Sequence, residues 1–108
     1  MVIEAHTVAI CNDANVDGEQ LPLLEALQTF AKSRATKLLI RRGKESNVEC
    51  ALRVPFLREG NVRPDELGRA IRKVWRAAID AAEPGNKFVI EFRARSDSQL
   101  VVQAERSG

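Results

Sequence analysis

Alternating and β-branched segments along the chain predict strands. The period of two is clearest from Val48 to Leu57, where every second residue is apolar and Pro55 marks an edge or the strand's end. A polar turn at Arg95 to Ser98 separates the last two segments. The predicted strands are Val2 to Ile10, Lys37 to Arg42, Val48 to Leu57, Phe88 to Arg93 and Gln99 to Ala104.

Apolar residues at helical spacing predict two helices between these strands. Asp17 can cap the first, with Gln20 completing a capping box, and this helix should end near Arg34 to Thr36. The second begins at Pro64, whose φ is preset, and ends before the turn at residues 83–86. The apolar stripes are Leu23, Leu24, Leu27, Phe30 and Ala31 in the first helix, and Leu67, Ile71, Val74, Ala78 and Ala81 or Ala82 in the second.

The resulting order is β-α-β-β-α-β-β, within a single α+β domain that spans residues 1–108. Each helix has one apolar stripe, so two helices on one face of a mostly antiparallel sheet would bury both stripes. The first six elements match the ferredoxin-like split βαβ order, with one added strand. We recognise no motif of a known protein family in the sequence.

The composition is typical of a globular protein outside the membrane. The chain is 44% hydrophobic and 30% charged, and it has no run of about 18 apolar residues. The segment from Met1 to Ile10 lacks a basic region followed by an apolar stretch, which argues against a secretory signal and for a cytoplasmic location. There Cys11 and Cys50 are expected to be reduced, although a disulfide between neighbouring strands is an alternative.

The sheet face turned away from the helices combines charged residues with an apolar centre, and it has no aromatic residue. The apolar centre predicts self-association as a homo-oligomer, through this face or an edge strand. A solvated face with cross-strand ion pairs is the alternative, and the lack of aromatics argues against base stacking. The predicted interface is Leu39, Ala51, Arg53, Val89, Glu91 and Val101, and the same face is expected to hold Lys37, Arg41, Glu49, Arg93 and Gln103.

The net charge of +2 conceals a basic excess after the first third of the chain. Residues 1–31 carry −5, so the remaining residues carry +7. Lys32 to Lys44 contains six cations and no acid. A further stripe at helical spacing consists of Arg69, Arg72, Lys73 and Arg76. Nucleic acid or another polyanion is a possible partner, less favoured than protein because an amphipathic helix is often basic without binding anything.

A short loop resembles half of a metal site. Asp13, Asn15 and Asp17 fit the first part of an EF-hand calcium loop, but the twelfth position is Leu24, so turn and cap chemistry is preferred. His6 is the only histidine, and its distance from Cys11 in the sequence puts the two on opposite faces of a regular strand. No cofactor motif and no catalytic set is recognised.

Three functional hypotheses follow. The leading one is a small non-catalytic module that acts by protein–protein contact, as a homodimer. The second is a polyanion-binding module that uses the basic stripe, and the third is a small enzyme with a pocket between helices and sheet. Trp75 lies beside the apolar stripe of its helix, either at the rim of the core or as an exposed anchor for a protein.

Overall fold

A computed structural model describes residues 2–11, 20–53 and 60–107 of the chain. The predicted α+β class is confirmed, and the described residues form a mixed sheet and three helices where the sequence predicts two. In chain order the described elements are β1 (Val2–Ala9), β2 (Leu21–Pro22), α1 (Leu23–Ala31), α2 (Arg34–Glu45), β3 (Glu49–Arg53), β4 (Asn61–Val62), α3 (Pro64–Ala81), β5 (Lys87–Ser96) and β6 (Gln99–Ser107).

The main sheet has the strand order β1-β6-β5-β3, and β2 pairs separately with β4. β5 and β6 form an antiparallel hairpin, and β1 joins the hairpin antiparallel to β6. β3 lies parallel to β5, because the chain returns through the crossover helix α3. The predicted ferredoxin-like order is not found: the segment expected to form a hairpin with β3 is helical, so β3 pairs with β5 instead.

One face of this sheet forms the hydrophobic core against the helices. Phe88, Ile90 and Phe92 of β5 are fully buried, as the sequence predicts, and α3 packs above them. Cys50 and Leu52 of β3 are partly buried at the margin of the same core, while Val54 and Phe56 lie outside the described residues. The remaining sheet residues in the core are Val8, Leu100, Val102 and Ala104.

The predicted strand from Lys37 to Arg42 is wrong, because this segment belongs to α2. Ser33 caps the helix by accepting a hydrogen bond from the backbone N–H of Thr36 at 3.4 Å. The buried residues of α2 are Thr36, Leu39 and Gly43, which recur at helical rather than strand spacing. Leu39 is only 5% exposed and belongs to the core, not to an open sheet face.

α2 ends in a Schellman motif that connects it directly to β3. The N–H of Val48 donates to the carbonyl of Gly43 at 2.8 Å, and the N–H of Asn47 donates to that of Lys44 at 3.2 Å. Asn47 adopts the left-handed conformation that this motif requires, with φ 55°. A Cβ on Gly43 would lie 2.9 Å from the Val48 carbonyl oxygen, so the close return of the chain needs glycine there.

The two sequence-predicted helices correspond to α1 and α3. α1 begins at Leu23 after Pro22, which offers no side-chain cap; Asp17 lies outside the described residues, and Gln20 precedes β2. The predicted capping box is therefore not part of the start of this helix, which ends at Ala31. α3 is confirmed, with Pro64 in its first turn and its last residue at Ala81.

Candidate functional site

The outer surface of α2 and α3 is strongly basic. Together these helices contain nine Lys or Arg and four Asp or Glu, a net charge of +5. Eight of the nine cations lie along two exposed stripes, Arg34, Lys37, Arg41 and Lys44 on α2 and Arg69, Arg72, Lys73 and Arg76 on α3. We call these eight residues the basic helical surface.

Packing of the two helices fixes the direction of both stripes. α2 buries Thr36, Leu39 and Gly43, and a helix that buries one side presents the opposite side to solvent. α3 likewise buries an apolar face that includes Val74 and Trp75. The helices are neighbours, since Arg42 of α2 donates to Asp80 of α3 at 2.6 Å, so the two stripes lie on adjacent helices.

Few of these cations are neutralised within the chain. Among the described residues, one ion pair involves α2 or α3. It joins Arg42 to Asp80, and Arg42 is not part of the basic helical surface. Glu66 is used elsewhere, because its Oε1 accepts a hydrogen bond from the backbone N–H of Ala9 at 3.0 Å. From Arg69 to Arg76 the stripe spans about 10 Å along the axis, comparable to roughly three phosphate steps of one DNA strand.

The sheet face opposite the helices holds most of the residues predicted as an interface. Strand register aligns Ala51 with Val89, Arg53 with Glu91 with Gln103, and Arg93 with Val101. The prediction was wrong for Leu39, Lys37 and Arg41, because all three lie in α2 and not in a strand of the sheet. We call this surface the open sheet face, and its role as an interface stays a prediction.

Glu91 lies at the centre of the open sheet face and is held by two arginines. Its Oε1 accepts from Arg53 Nη1 at 2.9 Å, and its Oε2 accepts from Arg93 Nη2 at 3.2 Å. The residue is only 9% exposed, and its neighbour Gln103 only 8%. Glu49 and Lys87 form a further pair at 3.8 Å. Charges on this face are therefore compensated within the chain.

A cavity of about 340 Å³ opens between α2 and the outer edge of β3. Trp75 is 4% exposed and contributes to the cavity wall, so it is a core residue rather than an exposed anchor. Cys50 also lines the cavity; burial raises the pKa of its thiol to about 11, partly offset by a hydrogen bond with Trp75. A thiol with a raised pKa is a weak nucleophile at neutral pH, so Cys50 lacks the activation that cysteine catalysis requires.

The other candidate chemistry is not assembled into a site. Asp13, Asn15 and Asp17 lie outside the described residues, and within the described ranges no three His, Cys, Asp or Glu side chains cluster as metal ligands would. His6 Nε2 is 3.9 Å from Glu4 Oε1. No helix in the described part of the chain is long and apolar enough to cross a membrane.

No protein-family model, curated protein or solved structure matches this chain. The basic stripe on α3 could be found from the sequence, because four cations recur at helical spacing in a segment with clear helix signals. The contribution of α2 was missed. The sequence signal for this helix was Ser33, a residue type that caps helices, followed by Thr36, Leu39 and Gly43 at helical spacing.

Proposed function

We propose that this chain binds nucleic acid through the basic helical surface. The supporting observation is that eight exposed cations on two adjacent helices have no ion-pair partner among the described residues. Five of the eight are arginines, whose planar guanidinium matches phosphate geometry. The correction of α2 favours this hypothesis, because it moves Lys37 and Arg41 from the sheet to the helices and removes Leu39 from the rival interface.

Contacts to the phosphate backbone are the expected mode of binding. Arginines and lysines on a helix surface neutralise phosphates and displace counterions, which gives affinity without sequence information. Base stacking would need exposed aromatics, but Trp75 is buried and the described positions of the open sheet face include no aromatic residue. We therefore expect binding that depends weakly on sequence and strongly on salt.

The test compares two variants that lose the same charge from different surfaces. The first combines Arg69→Gln, Lys73→Gln and Arg76→Gln on α3. The control combines Lys87→Gln, Arg95→Gln and Arg106→Gln on β5 and β6, which are also exposed. Fluorescence anisotropy with a short labelled DNA duplex should show at least about 100-fold weaker binding for the first variant at low salt. The control should stay within about threefold of the wild type, apart from a small effect of net charge.

The salt dependence provides a second measurement of the same contacts. If all three α3 cations contact phosphates, the slope of log K against log salt should fall in magnitude by about 2.7 in the first variant. Equal losses in both variants would mean that net charge alone attracts DNA. The proposal is wrong if the wild type does not bind the duplex at low salt. Trp75 fluorescence, from the single tryptophan, checks that each variant is folded.

A further inference from the structure

The outer edge of β1 has no strand partner among the described residues, and the bridge between Cys11 and Asn61 lies just beyond its end. β1 ends the sheet and pairs only with β6 among the described strands. The N–H of Ile10 points toward β6, since it donates to the Ser98 carbonyl at 2.9 Å, whereas that of Ala9 points away and donates to Glu66. Hydrogen-bonding direction alternates along an antiparallel strand, so the backbone N–H groups of Thr7 and Ala5 also point outward.

This edge lacks most of the features that keep strand edges apart. β1 has eight residues, contains no Lys, Arg or Pro, and has Glu4 and His6 as its ionisable side chains. The opposite edge strand, β3, has five residues and a charge at each end, Glu49 and Arg53. Charged residues and short length discourage edge pairing, so β1 is the more receptive edge. A bulge between Val2 and Glu4 confines regular pairing to the rest of the strand.

We propose that two copies of this chain form a dimer by antiparallel pairing of β1 with β1, centred on Ala5. In this register Ala5 lies opposite Ala5 of the second copy, and the two exchange both of their outward hydrogen bonds. Glu4 of each copy then lies opposite His6 of the other. Within one chain Glu4 and His6 already share a face of β1, where their closest N and O atoms are 3.9 Å apart. The dimer therefore brings two carboxylates and two imidazoles together in alternation.

The pairing of Glu4 with His6 selects this register over its neighbours. Outward hydrogen-bonding residues must face each other, so the centre of symmetry falls on Glu4, Ala5, His6 or Thr7. Centring on Glu4 places two carboxylates opposite each other, which is an unfavourable pair of like charges, and centring on His6 leaves each imidazole without a carboxylate opposite it. Centring on Thr7 pairs Ala5 with Ala9, whose N–H is already bonded to Glu66. Only pairing at Ala5 sets Glu4 against His6.

Dimer symmetry has a structural consequence for the rest of the molecule. Antiparallel pairing within a sheet requires a two-fold axis perpendicular to it, so both helical layers lie on the same side of one continuous sheet. The two basic helical surfaces would then face the same direction. The dimer is argued from β1 alone and does not rest on nucleic-acid binding.

The first experiment measures assembly by sedimentation velocity over a range of concentrations. The wild type should shift from 12.0 kDa toward twice that mass as concentration rises, since a single edge contact is a small interface. Ala5→Pro removes an outward N–H while leaving the β1–β6 hydrogen bonds intact, and it should weaken the dimer at least about 30-fold. Glu4→Lys should weaken it at least about fivefold. Glu49→Lys, the same charge change on β3, is the matched control and should leave the dimer unchanged.

The second experiment tests the register by disulfide formation, in a background with Cys11→Ser and Cys50→Ala. Ala5→Cys places two cysteines directly opposite, with Cα atoms about 5.5 Å apart, so oxidation should give a covalent dimer. Thr7→Cys is the control, because the two introduced cysteines would lie about 14 Å apart along the strands and should not crosslink.

Several outcomes would overturn the proposal. A wild type that stays monomeric at the highest concentration rejects it, and so does a dimer that Ala5→Pro and Glu4→Lys leave intact. A dimer that is disrupted by Val89→Lys and not by Ala5→Pro would assign the interface to the open sheet face. Crosslinking through Thr7→Cys and not Ala5→Cys would reject the register. Circular dichroism confirms that each variant is folded before its mass is interpreted.

Discussion

The open sheet face and the basic helical surface differ in how their charges are compensated. On the sheet, Arg53 and Arg93 both contact Glu91, whereas the eight cations of the helices have no ion-pair partner among the described residues. Neighbours on a sheet come from different segments of the chain, so register can set opposite charges side by side. Neighbours on a helix come from the same segment, and in a stripe such as Arg69, Arg72, Lys73 and Arg76 the cations lie three or four residues from one another. Arg53 and Arg93 are already bound to Glu91, whereas the cations of the helices are free to contact an anionic ligand.

The first prediction from this comparison concerns the two cations that the sequence places on the sheet and the structure places on α2. Lys37→Gln with Arg41→Gln should weaken binding to a DNA duplex about tenfold or more at low salt, because two phosphate contacts are lost. Lys87→Gln with Arg95→Gln on β5 is the control of equal charge. Anisotropy titrations measure both. If the β5 pair costs as much as the α2 pair, the distinction between the two surfaces fails.

The next effect tests whether residues 34–45 are helical, on which the comparison depends. Thr36 is buried, and its hydroxyl donates to the Phe30 carbonyl at 2.5 Å at the junction of α1 and α2. Thr36→Val should lower the free energy of unfolding by about 1 kcal/mol, since one buried hydrogen bond is lost while the Phe30 carbonyl keeps its bonds from the N–H and hydroxyl of Ser33.

The measurement for Thr36→Val is urea unfolding followed by Trp75 fluorescence. Thr29→Val removes a comparable bond, from the Thr29 hydroxyl to the Glu25 carbonyl at 2.9 Å, at an exposed position. That control should cost less than about 0.5 kcal/mol. A stabilising effect of Thr36→Val would instead favour a strand in this segment, because valine is a better strand former.

Elements with long, unambiguous patterns could be predicted from the sequence. β5 alternates over several residues, and α3 combines Pro64, an acidic first turn and an apolar stripe over about five turns. Leu38-Leu39-Ile40 is a short continuous apolar run, which fits a buried strand or one side of a helix equally well. The deciding contacts, the Ser33 cap and the return of Val48 onto Gly43, depend on how the chain packs.

Which strands become neighbours could not be read from the sequence. Alternation shows which face of β1 is buried but not that its partner is β6, from the other end of the chain. The composition of the open sheet face was therefore mostly correct for β3, β5 and β6. The prediction that Leu39, Lys37 and Arg41 belong to this face was wrong, because the segment that contains them is a helix and not a strand. The stripe on α3 was correctly assigned because it depends only on helical spacing.

A smaller effect compares one ion pair from each region. Glu91→Gln should lower the free energy of unfolding by about 1 kcal/mol, because a nearly buried carboxylate loses its charge-assisted bonds to Arg53 and Arg93. Asp80→Asn removes a carboxylate from the exposed pair with Arg42 and should cost less than about 0.5 kcal/mol. Urea unfolding at low and at high salt measures both. Equal costs would show that burial on the open sheet face adds nothing to its ion pairs.

The smallest effect is expected at Cys50, where β3 meets the helical layer. Burial raises the pKa of this thiol in the folded chain to about 11, against 9.0 for the solvent-exposed thiol of an unfolded chain, with a hydrogen bond to Trp75 acting in the opposite direction. The folded state therefore holds the proton more tightly. Its stabilisation is complete below pH 9 and is lost as pH rises toward about 11.

Because Cys50 is only half-buried, the loss over this range should stay below about 1 kcal/mol. The measurement is the difference in unfolding free energy between wild type and Cys50→Ala at several pH values. Lysine titration affects both proteins alike, and the chain has no tyrosine to add a second transition, so the difference isolates the thiol. A difference that stays constant across this range would mean that water reaches Cys50 freely. The cavity at the β3 edge would then be open to solvent rather than part of the junction between sheet and helices.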